Sequence, residues 1–242
     1  MKDVGEFDKR NDEFFQKFNR DKIIKSCVLS DHPVIFDVGA HHGQSIEYLR
    51  GLFEHSKIFS FEPDPESFGV LSKKVLDGLR VFNLAISDVI GTVKFYRNNI
   101  SHTNSLYKVN LDSVDSICFA QERATGSSIH KENFNLNIEV EAITLDKFVS
   151  DNSIDNIDLL KIDVQGAEEK VLLGGAGCAL QKVNAIIIEI SFYDYYEKST
   201  SFIDVERYLK PAGFELFSIL DISRNPMNGR TDWAEVLYKM VR

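Results

Sequence analysis

Three acidic residues each follow a short apolar run, and each could hold part of a polar ligand. The first, Asp37, opens the segment Asp-Val-Gly-Ala-His-His-Gly, with glycines at 39 and 43. Glycine lets the backbone approach a ligand closely, and the start of a following helix offers free N–H groups to a carboxylate. Asp37 could accept hydrogen bonds from an ammonium group. The segment therefore suits a ligand carrying both groups, although a tight strand-to-helix turn explains the glycines equally well.

The second acidic residue, Glu62, ends the next apolar run. An acidic residue about 20 residues past a glycine turn is placed to accept from the ribose hydroxyls of a nucleotide-type cofactor. Asp64 before Pro65 is typical of a helix start, so we assign capping to Asp64 and ribose binding to Glu62. Asn83 and Ala85 follow a third run, where an adenine would rest, but a polar turn is an equal alternative.

The third acidic residue, Asp163, follows a fourth apolar run and precedes Gln165-Gly166. In open α/β sheets ligands bind beyond the carboxyl ends of the strands, so Asp163 should face the same crevice as the first two. Glu168 falls in the first turn of a predicted helix, where a carboxylate also complements the helix dipole. Glu189 lies within a buried apolar run, so it either faces the crevice or has a cationic partner.

These residues are positioned by apolar runs that alternate with amphipathic helical patterns. The alternation predicts parallel βαβ units and an α/β fold with about seven strands that ends in a hairpin. Residues 6–29 predict one or two helices, so we divide the chain into a helical extension, 1–30, and one domain, 31–242. The predicted strands are 33–39, 57–61, 81–84, 157–162, 185–190, 214–220 and 234–240, and the predicted helices are 43–53, 65–79, 145–149, 167–173 and 202–209. Residues 91–96 alternate as one strand of a hairpin would, and a further ordered stretch is expected at 138–144.

Composition narrows the classes of function. The chain of 242 residues carries a formal net charge of −9 without a Lys/Arg cluster, which argues against a nucleic-acid partner. Its three cysteines form no C-x-x-C pair, so we expect neither a disulfide framework nor a metal site, and a cytoplasmic location. We also expect no secretory signal and no membrane span, because the longest apolar runs are far shorter than about 20 residues.

Together the motifs resemble the FkbM-type family of S-adenosylmethionine-dependent methyltransferases. The resemblance covers residues 34 to about 190. It implies a Rossmann-like class I methyltransferase sheet, mostly parallel and with a final antiparallel strand. The matching stretches are Ile-Phe-Asp-Val-Gly-Ala-His-His-Gly (35–43), Phe-Glu-Pro-Asp-Pro (61–65), Asn-Leu-Ala-Ile-Ser-Asp (83–88), Thr-Leu-Asp (144–146), Leu-Lys-Ile-Asp-Val-Gln-Gly-Ala-Glu (160–168) and Ile-Glu-Ile (188–190).

The resemblance also implies the cofactor, S-adenosylmethionine, and the residues that hold it. Asp37, Gly39, Gly43 and Glu62 would bind it, and Asp163 would lie near its reactive end. We add Ala40, Pro63, Asn83 and Ala85 as neighbouring contacts. The resemblance further implies O-methylation, because known relatives look like O-methyltransferases acting on sugars, polyketides and similar hydroxylated metabolites. Two departures are Gln165, where the family usually has glutamate, and His41, where it often has asparagine.

Transfer to an aliphatic hydroxyl requires a general base. Asp163, Glu168 and His102 are the candidates, and His102 lies in a polar loop, 101–105. Residues 98–135 form a long irregular stretch that is typical of a lid or substrate loop. The aromatic run 192–196 predicts either a wall of the substrate site or a surface contact in a homo-oligomer.

Two other functions compete with this prediction. A nicotinamide-dependent oxidoreductase shares the strand, glycine turn and acidic residue, but Gly39 and Gly43 form G-x-x-x-G rather than G-x-G-x-x-G. A non-catalytic S-adenosylmethionine-binding module is the second alternative, and Gln165 favours it.

Overall fold

The computed structural model describes residues 4–113, 131–226 and 228–241. The helices are α1 Val4–Lys17, α2 Arg20–Cys27, α3 Gln44–Leu52, α4 Pro65–Leu71, α5 Leu145–Asp151, α6 Glu168–Gly175 and α7 Phe202–Leu209. The strands are β1 Val34–Val38, β2 Lys57–Phe61, β3 Leu79–Phe82, β4 Ala85–Ile86, β5 Gly91–Arg97, β6 Leu136–Ile143, β7 Leu159–Ile162, β8 Ala185–Ser191, β9 Phe214–Arg224 and β10 Thr231–Met240.

Seven strands form one sheet in the order β3-β2-β1-β7-β8-β10-β9. The first five are parallel to one another, and β10 runs antiparallel to both β8 and β9. The predicted α/β fold, with a mostly parallel seven-stranded sheet and a final antiparallel strand, is therefore confirmed. A second sheet of order β4-β6-β5 was not predicted as a separate unit.

The central strands are apolar on both faces because helices cover both faces, which is the usual reason for continuous apolar runs in parallel sheets. Phe36, Ile162 and Ile188 pack in one core cluster with side chains from α5, α6 and α7. Ile35 and Leu159 point to the opposite face, where α2, α3 and α4 supply the covering side chains. No described helix has the length and apolar character that crossing a membrane requires.

Helix α2 packs against the sheet as part of the second cluster. Ile24 is fully buried there, beside Ile23 and Cys27. At the start of α2, Arg20 forms an ion pair with Glu235 on β10. The predicted boundary at residue 30 between a helical extension and the domain stays a prediction. Helix α2 itself covers one face of the sheet.

The predicted helix 65–79 is too long. Helix α4 begins as expected, with Asp64 capping it and Pro65 in its first turn, but it ends at Leu71. The chain then turns through Gly78, whose φ of +72° favours glycine, and β3 begins at Leu79. The apolar side chain of Val75, which suggested a continued stripe, is 93% exposed. Part of the irregular stretch predicted at 98–135, residues 114–130, lies outside the described residues.

The ends of β1 and β7 approach each other closely at Gly39. Its φ is +88°, and a Cβ on this residue would lie 1.8 Å from the carbonyl oxygen of Asp163. That distance is far inside van der Waals contact and involves backbone, which has little room to shift. Only glycine therefore permits the two strand ends to meet in this way.

We predict that Ile24→Ala lowers the free energy of unfolding by about 2–5 kcal/mol, because it leaves a cavity in the core under α2. The matched control is Ile203→Ala on α7, whose side chain is 70% exposed; it should change stability by only about 0.5 kcal/mol. Urea denaturation measures both. Equal effects would contradict the packing of α2 on the sheet.

We predict that Gly39→Ala lowers the free energy of unfolding by more than about 1 kcal/mol, since alanine adds both strain and a backbone clash. Gly51 in α3 has open space at its Cβ position, and Gly51→Ala should leave the protein as stable or stabilise it by up to about 1 kcal/mol. Chemical denaturation of the pair checks this. A stable Gly39→Ala protein would show that the two strand ends can separate without cost.

Candidate active site

A cavity of ≈ 500 Å³ opens beyond the carboxyl ends of the central strands. Its walls come from the turns after β1, β2 and β7, from β4, and from the segment 98–113. Most of the residues predicted to bind cofactor or catalyse line it. These are Gly39, Ala40, Glu62, Pro63, Ala85, His102 and Asp163.

Four predicted residues do not line this cavity, and two of them support the turns that do. The side-chain amide of Asn83 donates to the backbone oxygens of Glu62 and Pro63, at 2.8 and 3.0 Å. Gly43, with φ +83°, is the N-cap residue of α3, and the side chains of Lys74 and Leu71 lie against it. Both residues therefore shape the walls, and a direct ligand contact from either stays a prediction.

Glu168 likewise faces the backbone. Its Oε1 accepts from the N–H groups of Val164 and Gly166, at 3.2 and 3.0 Å. Burial raises the pKa of Glu168 to about 7, and these N–H groups act in the opposite direction. Glu168 therefore positions the turn after β7. It lines neither the cavity above nor the smaller one beside it.

The fourth, Asp37, belongs to a buried charge cluster. Its Oδ2 accepts from Ser45 at 2.7 Å, while its Oδ1 lies 3.9 Å from the ammonium of Lys161. The same ammonium is 3.0 Å from Asp163 Oδ2. Burial raises the pKa of Asp37 despite Lys161. Burial would also raise the pKa of Asp163, but Lys161 holds it below its ordinary value.

Sequence reasoning missed Lys161, although it lies two residues before Asp163. Burial alone would lower the pKa of Lys161, but Asp163 and Asp37 outweigh it and raise that pKa above its ordinary value. The alternation of strand residues is the signal that could have found it, because Lys161 is paired with Asp37 in register across β1 and β7. Asp37 and Asp163 are thus brought together through one cation.

Glu62 presents a carboxylate to the cavity and is held by two backbone donors. The N–H of His41 donates to Oε2 at 2.7 Å, and the N–H of Asp64 donates to Oε1 at 2.8 Å. Burial raises the pKa of Glu62 to about 7, in spite of these donors. Each oxygen keeps a further lone pair, so the carboxylate can accept hydroxyl groups of a ligand.

His41 connects the glycine turn to the segment above it. Its φ is +47°, its Nε2 lies 2.9 Å from Ser101 Oγ, and its ring stacks on His42 at 3.7 Å. Burial, His42 and His102 lower the pKa of His41. The position where asparagine is common therefore carries a histidine that contacts the polar loop of His102.

A second cavity of ≈ 340 Å³ adjoins the first, because His102 and Gln165 line both. Its walls include Glu189 and two aromatic side chains of the run 192–196. The full set of lining residues is His102, Thr103, Val109, Gln165, Glu189, Ser191, Tyr195, Tyr196 and Trp233. Of the two alternatives stated for Glu189, the structure has the first, because this residue lines the smaller cavity. Trp233 on β10 was missed because nothing local in the sequence links it to the site.

Gln165 joins the two cavities through its side-chain amide. The amide nitrogen donates to Asp163 Oδ1 at 2.8 Å, and the amide oxygen accepts from the Tyr196 hydroxyl at 3.0 Å. An ionised glutamate could accept from Tyr196 but could not donate to Asp163. Glutamine therefore suits this environment as the residue that holds Asp163 and Tyr196 together.

The larger cavity fits S-adenosylmethionine in its chemistry. Glu62 offers acceptors for a ribose diol, and an apolar wall of Phe61, Leu84 and Ala85 offers surface for an adenine. Asp37 Oδ1 is buried and accepts no hydrogen bond from the described residues. The volume is in the usual range for a small-molecule site. In the described parts of the chain, no group of three or more His, Cys, Asp or Glu residues could hold a metal ion.

Known proteins resemble this chain in sequence. Residues 37–216 match the family described as "Methyltransferase FkbM domain". The chain is 32% identical over 176 residues to the 2-O-methyltransferase NoeI of Sinorhizobium fredii, covering 72% of this chain and 70% of NoeI. It is 27% identical over 229 residues to methyltransferase sdnD of Sordaria araneosa, covering 88% and 82%.

A third relative is the hexuronic acid methyltransferase AglP of Haloferax volcanii, 27% identical over 161 residues, covering 66% of this chain and 56% of AglP. The family match spans most of the chain and includes the turns after β1, β2 and β7 that form the larger cavity. The chain therefore belongs to the FkbM methyltransferase family, and S-adenosylmethionine is its cofactor.

Proposed function

We propose that the chain methylates a hydroxyl oxygen of a sugar or another small hydroxylated metabolite. The observation that carries this proposal is the pair of adjoining cavities, one suited to the cofactor and one with aromatic walls, which share His102 and Gln165. The printed names of two relatives, a 2-O-methyltransferase and a hexuronic acid methyltransferase, support oxygen as the acceptor atom.

When bound, S-adenosylmethionine supplies an electrophilic methyl group on a positively charged sulfur. In the proposed arrangement Glu62 accepts from the ribose hydroxyls, and Ala85 and Pro63 border the adenosine. The glycine turn at Gly39 and Ala40 passes along the cofactor, while Asp163 holds a negative charge at the cavity wall. The protein's main contribution is to align the reactants, since orientation alone can supply much of the rate enhancement.

The acceptor would occupy the smaller cavity. The aromatic side chains of Tyr195 and Trp233 line it and offer apolar surface, and His102 and Ser191 offer polar groups. Of the three predicted general bases, Asp163 and His102 lie on the cavity walls, whereas Glu168 points into the turn. Asp163 is already engaged by Lys161 and Gln165, which favours the ionised form but weakens its basicity.

Two alternative functions were predicted from the sequence, an oxidoreductase and a non-catalytic binding module. Membership of a methyltransferase family sets the nicotinamide-dependent oxidoreductase aside. The non-catalytic binding module stays an alternative that activity must test. Gln165 gave it weight, but the hydrogen bonds of Gln165 to Asp163 and Tyr196 provide a structural reason for glutamine at this position.

We predict that the protein transfers the label of S-[methyl-¹³C]-adenosylmethionine to a hydroxyl oxygen of at least one member of a panel of hexopyranosides and polyols. NMR would show a methyl ether carbon, and chromatography would show an equal amount of S-adenosylhomocysteine. Reactions without acceptor are the control. Cofactor binding without methyl ether formation across the panel would favour the non-catalytic module, and methylation of nitrogen or carbon would contradict the proposal.

We predict that Glu62→Gln weakens S-adenosylmethionine binding by about 10-fold or more, since hydrogen bonds to a charged group contribute about 1.5–3 kcal/mol. Ribose hydroxyls prefer the ionised carboxylate, and the pKa of Glu62 is raised to about 7. The ratio of wild-type to variant affinity should therefore rise between about pH 6 and pH 8. Calorimetry measures it.

Glu54→Gln is the matched control, because Glu54 is an exposed glutamate away from both cavities. Its substitution should change affinity at neither pH. A constant ratio for Glu62→Gln across this pH range would show that the carboxylate of Glu62 does not bind the ribose.

A further inference from the structure

The carboxylate of Glu189 has no described partner, although it lies in a partly enclosed cavity. It is on the last part of β8 and lines the smaller cavity. None of the described residues donates a hydrogen bond to it or forms an ion pair with it. A poorly solvated carboxylate without a partner is costly, so its presence there points to a role toward a ligand.

The nearby cations are engaged elsewhere. Across the antiparallel pair, Glu189 is in register with Glu235 on β10, and like charges directly opposite each other are destabilising. Arg20 pairs with Glu235, and Lys161 pairs with Asp163 and Asp37. Arg20 and Lys161 therefore balance the neighbouring carboxylates, and the carboxylate of Glu189 remains open to the cavity.

The composition of the smaller cavity limits what can bind beside Glu189. Its described walls are aromatic at Tyr195, Tyr196 and Trp233 and polar at Ser191 and His102, and they contain neither Lys nor Arg. An acidic acceptor would place a second negative charge next to Glu189, and no Lys or Arg side chain on the described walls would balance it. A neutral ring with hydroxyl groups meets both the apolar walls and the open acceptor.

We infer that Glu189 accepts the hydrogen of the reacting hydroxyl and that the methyl acceptor is an uncharged sugar or polyol rather than an acidic one. This inference rests on the proposed O-methylation. The acceptor O–H bond breaks with its proton passing to the Glu189 carboxylate, the O–CH3 bond forms, and the S–CH3 bond breaks with its electron pair remaining on sulfur. Glu189 then returns the proton to solvent.

Cofactor binding should change whether the Glu189 carboxyl group is neutral or ionised. Burial, then the charges of Asp163 and Glu168, raise its pKa to about 9, with Lys161 opposing and Glu235 adding to the rise. His102, Tyr195 and Tyr196 are the other titratable groups that line its cavity. A positive sulfonium nearby favours the carboxylate form, so cofactor binding should release a proton from Glu189 and prepare it as the base.

The kinetic test compares Glu189→Gln, Glu189→Asp and His102→Asn with the wild type. Probes are methyl hexopyranosides and the corresponding methyl hexuronides. We expect Glu189→Gln to lose about 100-fold or more in kcat, as is usual for a lost general base, and Glu189→Asp to keep part of the activity. The matched control is Glu139→Gln, an exposed glutamate on β6, which should retain wild-type activity.

A binding test needs no turnover. Calorimetry of S-adenosylmethionine binding near pH 8, in two buffers of different ionisation enthalpy, counts the protons released. Glu189→Gln should release fewer protons and bind the cofactor more weakly than the wild type, because a cofactor that favours the carboxylate form of Glu189 is in turn bound more tightly by it. Glu139→Gln should release as many protons as the wild type. Equal release by wild type and Glu189→Gln would overturn the link between cofactor and base.

The outcomes separate the two proposals. If the wild type methylates neutral hexopyranosides and Glu189→Gln stays within about threefold of it, O-methylation stands and the role of Glu189 is wrong. Loss of activity in His102→Asn alone would assign the base to His102. A preference for hexuronides would overturn the neutral acceptor. If the wild type methylates no hydroxyl of either series, the proposed function fails, and proton release still reports on Glu189.

Discussion

One buried ammonium group organises the carboxyl ends of the central strands. The Nζ of Lys161 lies 3.0 Å from Asp163 and 3.9 Å from Asp37, which end neighbouring strands. Removing a partner from a buried ion pair typically costs about 3–5 kcal/mol, because it leaves a charge uncompensated. The cation thus holds two carboxylates in one place that would otherwise repel each other, and Gly39 allows the backbones to meet above them.

The carboxylates of the site fall into two groups, those with a cation within ion-pair distance and those without one. Asp37, Asp163 and Glu235 each have a cation within ion-pair distance. Glu62 is held by backbone N–H groups and Glu189 by none. Cations therefore balance the charge of the first group, while the carboxylates of Glu62 and Glu189 remain able to accept from a ligand. Such separated environments are how one fold assigns different roles to chemically similar groups.

Much of the fold was predictable from the sequence because its signals are local. The apolar runs around Phe36 and Ile187 predicted buried parallel strands, and Asp64-Pro65 predicted the start of α4. The roles of single side chains were harder, since motif position does not say which way a side chain points. Asn83 and Glu168 match family motifs, yet their side chains support turns. The ion pair of Arg20 with Glu235 and the cavity wall at Trp233 both bring together residues that are far apart in the chain, for which the sequence has no local signal.

The most direct test of this account is a crystal structure of the chain with bound S-adenosylhomocysteine. It should show the ribose hydroxyls on the carboxylate of Glu62, the adenine against Leu84 and Ala85, and the sulfur directed toward the smaller cavity that contains Glu189. A product bound elsewhere, or bound here with its sulfur directed away from that cavity, would contradict the account.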